Sequence, residues 1–169
     1  MTTTTNTPAA STPSNYINLH TVGIGYISRV RKVEVRKGNA FYAASIRAMF
    51  GEKGVKDGVS YTPYDVKAVS EQAEQVLRDF EADMNNDAKR VTVQFKIGDA
   101  TINTFPYKTG PKVGEMGIVM KGRLVKIERV WVKDLSQSGS EQEGNVLKYT
   151  APVKDSAEDQ GEARTGTNG

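Results

Sequence analysis

The feature that most constrains this chain is a change of parity within residues 22–35. Apolar side chains fall on even positions at Val22, Ile24, Tyr26 and Val30, then on odd positions at Val33 and Val35. A strand shows its two faces alternately, so a parity switch without a turn means one inserted residue, and a bulge near Arg31-Lys32 supplies it. A bulge of this kind bends a long first strand so that it serves both halves of a curved sheet, which points to a small barrel. The Lys37-Gly38-Asn39 turn leads into Ala40–Phe50. That segment fits a helical face (Phe41, Ala44, Ser45, Ala48, Met49) and a strand face (Tyr42, Ala44, Ile46, Ala48). The turn and the strand before it favour a hairpin.

The remaining elements follow from local signals. Gly51–Gly58 is a loop rich in glycine and charge, and Val59–Val69 is a third strand in which Pro63 marks an edge or a bulge. Ser70 is a good N-cap, Glu71 and Glu74 suit a first turn, and Ala73, Val76, Leu77, Phe80 and Met84 form one stripe. One helix of about four turns, ended by Asn85-Asn86-Asp87, is expected there. Val91–Ile97 alternates cleanly as a fourth strand, with a turn expected at Gly98-Asp99. Residues 100–117 then read as a long hairpin, and Ile118–Val132 as a last strand that bends at Gly122. The order β-β-β-α-β-β is that of the OB-fold, whose open face and loops bind oligonucleotides. The expected architecture is mainly β: a five-stranded OB-fold barrel with one helix between strands three and four. Residues 1–14 form an expected disordered leader, 15–133 the folded domain and 134–169 a disordered acidic tail, in which Leu147–Val153 is the one apolar island.

Charge is distributed unevenly along the 169 residues. The chain as a whole carries +3, yet from Asp134 onward seven acids face three bases, so residues 15–133 are strongly basic. A basic body with an acidic tail suits a polyanionic partner. Most enzymatic alternatives fall away on composition. With no cysteine there is no thiolate chemistry, disulfide or Cys-based metal site, and the single His20 argues against a Ser-His-acid triad. Lys108-Thr109-Gly110 stands without the Ser-x-x-Lys and Ser-Asp-Asn that would give it meaning. No catalytic residue, metal or cofactor is expected. The N-terminus carries no secretory pattern and no apolar run spans a bilayer, so a cytoplasmic location is expected.

Binding is better supported, because a single nucleic-acid strand needs cations for its phosphates and ring faces for its bases. Candidates for the phosphates are Arg29, Arg31, Arg47, Lys96, Lys108 and Arg123; candidates for stacking are Phe50, Tyr61, Phe105 and Tyr107, which fall at strand ends or in hairpins. The alternative is an OB-like protein–protein interaction module whose rings form an interface.

In these motifs the chain resembles the bacterial single-stranded-DNA-binding proteins. Val22-Gly23-Ile24-Gly25 is similar to their first-strand glycine motif, and Lys37-Gly38-Asn39 with Tyr42–Ala48 to their second strand. Ser60-Tyr61, Val66 and the Ser70–Leu77 helix are similar to their third strand and helix, and Phe50, Phe105 and Tyr107 fall near their stacking aromatics. More closely, residues 15–133 resemble an SSB-like family of replication proteins carried on integrating conjugative elements. The resemblance implies single-stranded DNA as ligand, a homo-oligomer (dimer or tetramer), and other replication proteins as partners. It does not extend to the tail tip, because this chain closes on Arg164-Thr165-Gly166-Thr167-Asn168-Gly169 rather than on apolar residues.

Overall fold

The computed structural model describes residues 17–136 and 145–152. Its elements are β1 (His20–Val33), β2 (Phe41–Gly51), β3 (Val59–Ala68), α1 (Glu71–Asp79), α2 (Glu81–Met84), β4 (Lys89–Pro106), β5 (Met116–Asp134) and β6 (Val146–Thr150). The chain is mainly β, with all six strands in one sheet ordered β3-β2-β1-β4-β5-β6. Neighbours in that order are antiparallel, and β3 also pairs in parallel with β5, from Tyr64↔Met120 to Ala68↔Leu124. The pairings of β1 to β5 therefore run in a closed circuit, and β6 lies along β5 beyond the stretch that β3 occupies. Ile27, Val30, Ile46, Val66, Val93, Phe95, Ile97, Leu124, Ile127 and Val130 fill the inside, with Val76 and Leu77 of α1 packed against them. Among the described residues no helix is long and apolar enough to cross a membrane. The expected disordered leader, 1–14, and residues 137–144 and 153–169 of the expected tail lie outside the described residues.

The bulge that the parity switch demands is present, centred on Arg29 rather than Arg31-Lys32. Register with β2 shifts between Ser28 and Arg31, and Arg29 takes a φ of 54°. The apolar residues on even positions before it are not the core face. Val22 and Ile24 are 60% and 43% exposed, while Gly23, Gly25 and Ile27 point inward. Phe95 supplies the reason: a Cβ at Gly23 would lie 3.3 Å from its ring, so the core side of β1 is left to glycine. Beyond the bulge, Val30 joins Ile27 on the inner side.

The expected four-turn helix is broken in two at Phe80, which leaves helical geometry at φ −107°, ψ 9°. Ser70 caps α1, its hydroxyl accepting from the Ala73 N–H at 3.1 Å and donating to the Val125 carbonyl at 2.6 Å. The break lets Met84 bury and Asn85 reach β1. There the Asn85 amide accepts from the Val30 N–H and donates to the Val30 carbonyl, both at 2.8 Å, standing in for the strand partner that the bulge removes. Gln72 does the same at an irregularity in β5: it donates to the Ile127 carbonyl at 2.7 Å and accepts from the Ile127 N–H at 3.2 Å. Two amides thus tie the helical segment to both bent strands. Asn85→Ala is expected to cost about 2 kcal/mol, because it orphans a backbone donor and acceptor together. A shift of the urea midpoint with an unchanged slope would show it.

Two other expectations are corrected. Gly98-Asp99 is not a turn: β4 runs through it as one strand, with Asp99 at φ 50°, its N–H donating to the Leu19 carbonyl at 2.8 Å, and pairing with β5 resuming at Thr101↔Lys121. A bulge here bends the strand without reversing it. The segment from 134 is not without structure throughout, since β6 pairs with β5 from Val132↔Val146 to Arg129↔Thr150. Its anchor is Tyr149, whose ring meets Phe80 edge-on at 6.4 Å and whose hydroxyl accepts from Gln72 at 2.7 Å.

Candidate nucleic-acid interface

A groove of about 930 Å³ opens where the β1 bulge, the middle of β2, the middle of β3 and the outer part of the β4–β5 hairpin meet. The bulge brings Arg29 and Arg31 to it, and alternation along β2 sends Ile46 inward and Arg47 outward. On the hairpin, cross-strand partners share a face, so Asn103, Phe105, Val119 and Lys121 all turn toward the groove. Phe105 stands opposite Gly117 and lies over it: a Cβ at Gly117 would sit 2.6 Å from the Phe105 Cζ. The Tyr107 ring meets that of Phe105 edge-on at 5.2 Å, and Lys112 Nζ stands 6.0 Å from the Tyr107 centroid.

The cations in this groove are not equivalent. Arg31 is paired with Asp65 at 2.8 Å, and its other terminal nitrogen donates to the Arg29 carbonyl at 3.3 Å. Arg29, Arg47 and Lys121 form no ion pair among the described residues. Next to the groove, and sharing Ser28 and Arg47 with it, a second pocket of about 420 Å³ is lined by Tyr26, Tyr61, Lys89 and Arg90.

Of the residues singled out in the sequence, Arg29, Arg31, Arg47, Phe105 and Tyr107 meet in the groove, and Tyr61 lies in the second pocket beside Arg47. Four others line neither. Phe50 stands one residue before the end of β2, 58% exposed; Lys108 follows β4 in the hairpin turn; Lys96 stands between Val22 and Lys126 on the outer side of β4. Arg123 is ion-paired with Asp99. Trp131 is half-buried across from Thr92 and Leu147.

Sequence reasoning missed Lys121, Asp65, Tyr26 and Arg90. For Lys121 a signal existed: folding the hairpin symmetrically about Pro111 pairs Phe105 with Gly117 and Thr101 with Lys121, the pairing observed. For Asp65 there was none, since its neighbourhood depends on contacts with β1 and the hairpin.

Comparison with curated proteins and with solved structures yields no match. The family model described as "Protein of unknown function (DUF3577)" matches residues 10–144. With most of its length covered by that model, the chain belongs to this family.

Proposed function

We propose that the closed circuit of strands is an OB-type barrel extended by β6, and that the protein is a non-enzymatic binder of single-stranded DNA. The observation that carries the reading is the groove itself, which gathers Arg29, Arg47 and Lys121, in no ion pair among the described residues, and an edge-to-face ring pair from β1, β2 and the distant β4–β5 hairpin. Cations track a phosphate backbone while rings stack on unpaired bases, and neither needs a defined sequence. The circuit β1-β2-β3-β5-β4, with the helical segment between β3 and β4, supports the barrel reading. Cytoplasmic action on the DNA of an integrating conjugative element, as a homo-oligomer with other replication proteins, is the context that the resemblance suggests. Self-association has its own support in exposed apolar side chains: Ile102, Met116 and Ile118 stand 71%, 62% and 62% exposed on the hairpin.

The test is a fluorescence titration of oligo-dT and of a duplex of equal length at two salt concentrations. Oligo-dT is expected to bind more tightly, with log K falling against log salt at a slope of about −2, as three phosphate contacts on a single strand require. Negligible affinity at low salt, or equal affinity for the duplex, sinks the reading and leaves a protein-interaction module in its place.

Asp65 gives the groove an internal competitor. The Arg31–Asp65 pair is partly exposed and stabilises the fold little. Asp65→Asn frees Arg31 and removes a repelling charge, so it is expected to tighten oligo-dT binding about threefold and to steepen the salt slope by about 0.7. Weaker binding in the same titration would show that Asp65 serves the ligand instead.

A further inference from the structure

We infer that the pocket beside Arg47 is a second base-stacking subsite, in which Tyr61 presents the platform and Tyr26 and Arg90 support it from behind. The inference rests on the single-stranded DNA reading and adds to it new residues and a length requirement. Arg90, Tyr26 and Tyr61 are carried on β4, β1 and β3, and the sheet order β3-β2-β1-β4 sets them in a row with Tyr26 in the middle. The Arg90 guanidinium carbon lies 5.2 Å from the Tyr26 centroid. The Tyr26 and Tyr61 centroids are 6.0 Å apart at an interplanar angle of 30°. Tyr26 is thus held between a cation and a ring, while Tyr61, 47% exposed, keeps a free face.

The charges around the pocket favour a base over a phosphate. Lys89 is committed to Asp83, whose carboxylate accepts its hydrogen bond and raises its pKa above the ordinary lysine value. Asp87 on the rim repels a phosphate. The phosphate cation of the pocket is Arg47, which also lines the main groove. A strand stacked on Phe105 and Tyr107 therefore passes Arg47 to reach Tyr61. Only a strand long enough to cross Arg47 can use both ring sets, and an OB-type domain covers about 4–16 nucleotides.

Fluorescence anisotropy of the full chain with oligo-dT of about 5 and about 20 nucleotides tests this. The variants are Arg90→Gln, at an exposed position, and Tyr26→Leu, each checked by thermal melting. Both variants are expected to match the wild type on the short oligomer within about twofold, and to lose about five- to tenfold on the long one. Arg90→Gln should leave the salt slope unchanged, since its cation serves a ring and not a phosphate. Equal affinity of variants and wild type for the long oligomer would remove the subsite. So would equal losses at both lengths, or a slope reduced by about 0.7, which marks a phosphate contact. A wild type that binds neither length would instead overturn the single-strand reading and this inference with it.

Discussion

Valine in place of Gly25 is expected to leave the protein unfolded, or folded with a melting temperature lower by on the order of 10 °C. Gly25 sits in β1 between two paired strands, opposite Ala48 of β2 and Val93 of β4. A Cβ at this position would stand 2.4 Å from the Arg47 carbonyl oxygen and 2.9 Å from the Ala48 Cα. These are backbone atoms within a ladder and cannot swing aside, so β1 must part from β2. The cost is on the order of 3 kcal/mol or more, against a typical total stability of about 5–15 kcal/mol. Gly23→Ala is the comparison. Its Cβ meets only the tip of the Phe95 ring at 3.3 Å, and a ring can give by tenths of an ångström, so about 1 kcal/mol is expected. Circular dichroism melts of the two variants measure the difference; equal, small shifts would mean that β1 and β2 can separate at that point without loss.

Removing both groove rings is the largest expected change in binding. Each base stacked on an aromatic side chain contributes about 1–3 kcal/mol, so Phe105→Ala with Tyr107→Ala should weaken oligo-dT binding about a hundredfold or more. The hairpin backbone should persist, because the Tyr107 N–H donates to the Glu115 carbonyl at 3.0 Å and Gly114 donates back to Tyr107 at 3.1 Å. The salt slope should also hold, since Arg29, Arg47 and Lys121 remain. A double variant that binds DNA normally but changes its mass in solution would assign these rings to an interface between copies instead.

How much of this was legible in the sequence depended on whether each signal was local. The Ser70 cap, the bulge in β1 and the strand character of Val91–Ile97 each rest on a few neighbouring residues, and each is found. The faces of β1 were not legible by apolar alternation, because glycine occupies the core side beneath Phe95 and the apolar residues decorate the outer side. The bend at Asp99 reads as a turn because bulges and turns draw on the same residue types; only the partner strand distinguishes them. β6 could not be recognised from within, since a five-residue strand gains its stability from the edge of β5 and from Phe80 and Gln72. In the groove, residue types could be named but not assembled. Arg29 and Phe105 are far apart in sequence and line one groove only through the pairing of β1, β2 and β3 with the β4–β5 hairpin, while Lys96 and Arg123, equally basic, are carried elsewhere.

The Phe105 ring resting on Gly117 has one more consequence, and it concerns entropy. A flexible side chain recruited into an interface surrenders rotamer freedom worth about 0.5–1.5 kcal/mol. Phe105 has less to surrender: its ring occupies the space that the glycine opposite leaves open, and it meets the Tyr107 ring edge-to-face. These contacts narrow its rotamer choice when the chain folds, before any ligand arrives. If a base stacks on it, as the proposed single-strand binding requires, less of the stacking energy goes into ordering the ring.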